Sequence, residues 1–265
     1  MPDEVVLVER HGGVRWVTLN RPEVLNAYDT ALCQQLAEAI RGFQRADDER
    51  VMVLTGAGRA FCAGGDVRSE AEAVEADGRQ LGHGMVMREG MHTVNRLLHA
   101  QDKPVIALIN GYAVAGGLSL ALLCDFRIAA QSARLGDTSG RVGLLPDEGG
   151  AWLFPRAMGH DAALRMTLLG EVYDAAEALA LGLVTEVVPD DRLRERGAEL
   201  AAQLAAKAPL AVRMAKRMMR RSRTQTFEES LVDAEYAVEI VNRSDDVREG
   251  VEAFVAKRPP SFTGH

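Results

Sequence analysis

The chain is poor in cysteine: Cys33, Cys62 and Cys124 are the only three in 265 residues, and none belongs to a CxxC pair. That spacing argues against a cysteine-rich zinc module or a disulfide framework. It suits reduced thiols in the cytoplasm, the compartment expected for this protein, and no metal site is expected. Basic charge is not in excess either, with 31 Lys and Arg against 38 Asp and Glu and a net charge of −7. This balance favours solubility and gives no electrostatic footprint for nucleic acid or an anionic membrane surface. Long apolar runs are missing. The most apolar stretch, residues 113–123, is too short to span a bilayer and contains Gly116 and Gly117, so it reads as a buried core helix. The opening Met1-Pro2-Asp3-Glu4 is acidic and runs straight into Val5-Val6-Leu7-Val8, unlike a signal or transit peptide. Internal repeats and low-complexity segments are absent from the sequence.

What is present fits a globular α/β protein. Val5–Val8 and Val14–Leu19 flank His11-Gly12-Gly13 and predict a β-hairpin. Asp29 is placed to cap a helix whose apolar positions Leu32, Leu36, Ile40 and Phe43 recur at spacings of three and four. Val51–Thr55 and Val105–Ile109 read as buried strands, Gly116–Leu123 as helix and Phe126–Ala130 as strand. Residues 69–100 have a polar, glycine-interrupted helical pattern. After Gly149 the pattern is helical almost throughout, apart from a short strand at Val184–Val188. The order of strand, glycine turn, helix and strand occurs twice, which argues for parallel units. A composition shift near residue 190 divides a core, residues 1–190, from a helical region, residues 191–265.

Two glycine-rich turns follow buried strands, at the carboxyl edge where open α/β sheets place ligands. They are Gly56-Ala57-Gly58 continuing to Ala63-Gly64-Gly65-Asp66, and Asn110-Gly111 continuing to Ala115-Gly116-Gly117. Neither is a nucleotide loop. The first lacks the third small residue of a dinucleotide fingerprint, and the second has Gly117-Leu118 where a phosphate loop needs Lys and Ser or Thr. Gly117-Leu118-Ser119-Leu120-Ala121 also lacks the last glycine of a nucleophile elbow. Small residues on such turns let a ligand approach backbone N–H groups, which suits stabilisation of a developing negative charge.

A set of longer motifs carries a resemblance. Asn20-Arg21-Pro22-x-x-Leu25-Asn26-Ala27, Gly58-x-Ala60-Phe61-Cys62-Ala63-Gly64-x-Asp66 and Lys103-Pro104-Val105-Ile106-Ala107-x-Ile109-Asn110-Gly111 are similar to the crotonase (enoyl-CoA hydratase/isomerase) superfamily. Asp125-Phe126-Arg127-Ile128-Ala129, Gly143-Leu144-Leu145-Pro146-x-x-Gly149-Gly150 and the tail Arg248 to Arg258 extend it over nearly the whole chain. The resemblance implies an α/β crotonase fold of repeated β-β-α units with a C-terminal helical region, assembled as trimers or dimers of trimers. It implies an acyl-CoA thioester as substrate, with CoA part of the substrate and no further cofactor. The backbone N–H groups of Ala63 and Gly116 would form the oxyanion hole. Val24, Ala27, Gly64 and Asp66 would lie along the CoA arm, and Phe254 and Lys257 would reach the CoA phosphates from a neighbouring subunit.

The sequence departs from the hydratases of that family, which use two glutamates. The corresponding positions are Ser119 and Ser139, read as pocket-lining hydroxyls. In their place stand Asp147, directly after Pro146, and Glu148 beside it. A carboxylate at this point resembles the single-aspartate isomerases of enoyl-CoA or ring-epoxide-CoA thioesters. One carboxylate suffices for a double-bond shift, because it can remove a proton at C2 and return it at C4. Asp147 is therefore expected as general base, with Glu148 as the alternative and a helix cap as the structural role. Asp137 reads as a turn residue, and His83 and His92 as ordinary packing or surface residues. Isomerisation is the expected reaction; hydration, thioester hydrolysis through Ser119 or Ser139, and catalytically idle CoA binding are the alternatives.

Overall fold

The computed structural model of the protein describes residues 4–66, 68 and 83–265. Its centre is a six-stranded sheet in the order β1-β2-β3-β5-β7-β10, beside a four-stranded sheet in the order β4-β6-β8-β9. The large sheet comprises β1 (Val6–His11), β2 (Val14–Leu19), β3 (Val51–Gly56), β5 (Val105–Ile109), β7 (Phe126–Ala130) and β10 (Glu186–Val188). The small one comprises β4 (Ala60–Cys62), β6 (Tyr112–Val114), β8 (Arg134–Gly136) and β9 (Val172–Asp174). β1 pairs antiparallel with β2 across Gly12-Gly13, as the hairpin pattern predicts, and β2, β3, β5, β7 and β10 are parallel.

The chain steps repeatedly from a long strand of the large sheet to a short strand of the small one. A corner with little room makes each step. At Gly111 a Cβ would lie 2.7 Å from the carbonyl carbon of Arg59 on the neighbouring corner, so only glycine lets the two backbones pass. The helix Gly116–Leu122 follows β6 and completes one β-β-α unit. The strands of the small sheet are three residues long. They are too short to show a period of two, and the sequence pattern does not predict them.

Asp29 caps the helix Thr30–Arg45 as expected, its side chain accepting from the Leu32 N–H at 2.8 Å. Leu32, Leu36, Ile40 and Phe43 are fully buried beneath one face of the large sheet. The opposite face packs Trp16, Val53, Ile106 and Ile128 against Leu193 and Ala201 of the helix Leu193–Ala205. The first helix beyond residue 190 thus covers the core sheet. The helix Pro209–Arg221 buries no residue fully and is held by charge, with Arg213 bidentate on Asp102 at 3.0–3.1 Å and Lys216 on Asp125 at 2.5 Å. The last helices, Phe227–Val241 and Asp245–Val255, leave Phe227, Tyr236, Phe254 and Val255 at least 70% exposed. Of the helical stretch expected at 69–100, residues 83–89 and 91–100 are helical, and residues 69–82 lie outside the described residues. Among the described residues no helix is long and apolar enough to cross a membrane.

Candidate active site

The two glycine turns meet. A Cβ on Gly64 would lie 3.4 Å from the Gly116 nitrogen and 3.1 Å from the Ala115 Cβ. Two polar side chains, Asn26 and Arg21, shape the first turn from below. Asn26, fully buried at a left-handed φ of 56°, donates to the carbonyls of Ala57 and Ala60 at 2.9 and 2.8 Å. Its own oxygen accepts from the Arg21 N–H at 2.8 Å. Arg21 in turn donates to the Ala27 carbonyl at 2.6 Å and pairs with Asp29 at 3.2 Å and Asp66 at 3.1 Å. The Asn-Arg-Pro to Asn-Ala motif is therefore a brace that fixes the turn carrying Ala63 to Asp66.

That brace decides which amides face outward. The Ala63 N–H donates to the Leu25 carbonyl at 3.1 Å, so it is spent within the fold and does not fit the donor role expected of it. The Gly64 N–H faces the buried Cys62 sulfur. Gly65 is different. Tyr28 forms an isolated parallel bridge opposite Gly65, donating to the Gly64 carbonyl at 2.9 Å and accepting from the Asp66 N–H at 2.9 Å. In extended backbone successive peptide groups face opposite sides, so the Gly65 N–H turns away from Tyr28. Among the described residues nothing accepts from the N–H of Gly65 or of Gly116. Gly116 itself follows Ala115, which sits at a φ of 50° and swings the chain into the helix Gly116–Leu122.

A carboxyl pair stands against Gly116. Glu148 is 7% exposed, and its Oε1 accepts a short hydrogen bond from the Tyr28 hydroxyl. Its Oε2 is buried with no hydrogen-bond partner among the described residues. A Cβ on Gly116 would lie 2.8 Å from the Glu148 carboxyl carbon and 2.7 Å from the Tyr28 ring, so glycine is required there. Burial pushes the Glu148 carboxyl up to about 7, the Asp147 charge adds to the rise, and the Tyr28 hydrogen bond opposes it. Asp147 is half-buried. The helix Met91–Ala100 holds both backbone carbonyls: His92 Nε2 bonds that of Asp147 at 2.8 Å, and Asn95 donates to that of Glu148 at 2.7 Å. A carbonyl only accepts, so His92 carries its proton on Nε2. Neither acid caps the next helix, which starts at Gly150 behind Gly149 with φ 95°.

The other expected positions divide clearly. Ser119 lies one helical turn beyond Gly116, fully buried, its hydroxyl without a hydrogen-bond partner among the described residues. Ser139 is 5% exposed, and its N–H donates to Asp137 at 3.1 Å. Asp137 is the expected turn residue, yet it is fully buried and its Oδ2 makes no hydrogen bond among the described residues. Neither serine hydroxyl bonds a histidine or carboxylate among the described residues, as an activated nucleophile would. Burial pushes the thiols of Cys62 and Cys124 up to about 12, which makes them inert. Val24 and Ala27 flank the brace, whereas Phe254 and Lys257 stand exposed on the last helix and the turn that ends it. Among the described residues no group of His, Cys, Asp and Glu could hold a metal ion. Arg21, Asn26, Tyr28, His92 and Asn95 were not predicted as site residues. Arg21 and Asn26 lie in a quoted motif, but their bracing role shows only in three dimensions.

Comparison with known proteins gives the family. The family model described as enoyl-CoA hydratase/isomerase matches residues 9–265. A 1,2-epoxyphenylacetyl-CoA isomerase of Escherichia coli is 38% identical over 262 residues, 98% of this chain and 99% of that protein. An (E)-benzylidenesuccinyl-CoA hydratase of Thauera aromatica is 35% identical over 260 residues, 98% of this chain and 99% of that one. The crystal structure of an enoyl-CoA hydratase from Bacillus anthracis superposes with a TM-score of 0.91 at 34% identity, covering 98% of this chain and 100% of that one. The chain therefore belongs to the enoyl-CoA hydratase/isomerase family and is a crotonase-superfamily enzyme acting on CoA thioesters.

Proposed function

We propose that the enzyme shifts a double bond in an enoyl-CoA thioester, with the N–H groups of Gly65 and Gly116 as the oxyanion hole and Asp147 as general base. The observation that carries this reading is the juxtaposition of two uncommitted backbone amides with one carboxyl pair, where the glutamate positions of the hydratases hold serines. The thioester oxygen accepts from both amides, which stabilises the enolate and makes the C2 proton more acidic. Asp147 takes that proton, the electron pair moves into the enolate, and Asp147 returns the proton at C4. Val24, Ala27, Gly64 and Asp66 line the path of the CoA arm. Phe254 and Lys257 bind the CoA phosphates of a neighbouring subunit in a trimer or dimer of trimers.

A second reading, hydration, is favoured by one observation. Glu148 supplies a second carboxyl whose affinity for a proton is near neutrality, the value suited to exchanging protons with water or substrate. A panel of 2-enoyl, 3-enoyl and aromatic thioesters, with products identified by mass spectrometry, separates the two. Aromatic thioesters belong in the panel because two relatives carry such acyl groups in their names. Interconversion of 2- and 3-enoyl isomers without added mass supports isomerisation. Addition of one water to a 2-enoyl substrate, with no isomer formed, refutes it.

A further inference from the structure

Tyr28 reaches the carboxyl pair from the brace, on the side opposite the helix Met91–Ala100. It is 4% exposed, its hydroxyl donates to Glu148 Oε1, and its ring edge closes the space beside Gly116. Glu148 has almost no freedom to move. Its backbone carbonyl is held by Asn95, its Oε1 by Tyr28, and its Oε2 is enclosed without a partner among the described residues. Burial, and after it the neighbouring Asp147 carboxyl, favours the protonated form of Glu148. With Oε1 occupied as an acceptor, the free position for the proton is Oε2.

We propose that Tyr28 is a positioning residue for the reaction: it anchors Glu148 Oε1 beside Gly116, so that the Glu148 carboxyl carries its proton on the enclosed Oε2. This rests on the enolate reading given above and deepens it. A neutral Glu148 avoids placing a second negative charge beside the enolate oxygen, and its ionisation would oppose the reaction. The titratable groups facing Glu148 are Tyr28 on the brace, Cys62 on β4 and Asp147 on its own loop, with His92 reaching that loop from the adjacent helix. The Cys62 thiol stays neutral.

The test uses the full chain. Infrared titration of the substrate-free enzyme should show a carboxyl with a midpoint near 7 that disappears in Glu148→Gln. The Tyr28 hydroxyl favours the ionised carboxyl, so Tyr28→Phe should move that midpoint up by about one unit. The alkaline limb of kcat/KM should move up with it, and kcat should fall by more than KM changes. A midpoint in the ordinary carboxylate range would overturn the proposal. So would a midpoint unmoved in a Tyr28→Phe protein whose circular dichroism and melting match wild type. Asp147→Asn removes the neighbouring charge and should lower the same midpoint, which provides a check that leaves Tyr28 intact. If the midpoints behave as stated but no thioester is isomerised, the anchoring of Glu148 by Tyr28 stands and the enolate reading falls.

Discussion

At the scale of the residue, Glu148 holds its proton more tightly in the fold than in the unfolded chain, because burial disfavours its charged form. A carboxyl raised from 4.5 to about 7 contributes its full stability below the unfolded value and loses it as pH rises through the folded value. The loss therefore falls between about pH 4.5 and 7 and amounts to roughly 3 kcal/mol. Glu148→Gln has no such ionisation. Urea denaturation of wild type and variant should show the variant gaining relative stability between pH 5 and pH 8; curves that stay parallel would contradict the burial argument. The Asp147-Glu148 tandem was legible from the sequence, since it follows Pro146 where the expected glutamates are replaced by Ser119 and Ser139. Its division of roles was not. That division depends on the burial of Glu148, whose anchor Tyr28 is 120 residues away along the chain and carries no local pattern that points to a carboxyl partner.

At the scale of the element, the hairpin, the capped helix Thr30–Arg45 and the strands β3, β5 and β7 could be read from apolar periodicity and turn residues. The small sheet could not, because three-residue strands carry too few positions to show a period. The oxyanion turn shows the same limit at finer grain. The motif was read with Ala63 as the donor, but the Ala63 N–H is spent on Leu25, and only the pairing of Tyr28 with Gly64 and Asp66 turns the Gly65 amide outward. The second turn leaves no room for a side chain. Gly116→Ala would drive a methyl group into the Glu148 carboxyl and the Tyr28 ring, both of which are pinned. Loss of that amide's alignment should lower kcat/KM by about 10² to 10³. Near-wild-type turnover in a folded Gly116→Ala protein would mean that the oxyanion hole lies elsewhere.

At the scale of the whole molecule, the C-terminal helices leave large apolar side chains in water, with Phe227, Tyr236 and Phe254 each at least 70% exposed. That surface agrees with the trimer or dimer of trimers proposed above. Light scattering should return three or six times the 28.7 kDa chain mass, whereas a monomer mass would remove the cross-subunit role of Phe254 and Lys257. The central claim is that the enzyme makes an enolate with Asp147 as base, and exchange of the C2 protons of a saturated acyl-CoA in deuterated water tests it most directly. Wild type should incorporate deuterium at C2, and Asp147→Asn should slow the exchange by about 10² to 10⁴ while still binding the thioester. Undiminished exchange in Asp147→Asn, or none in an active wild type, would contradict it.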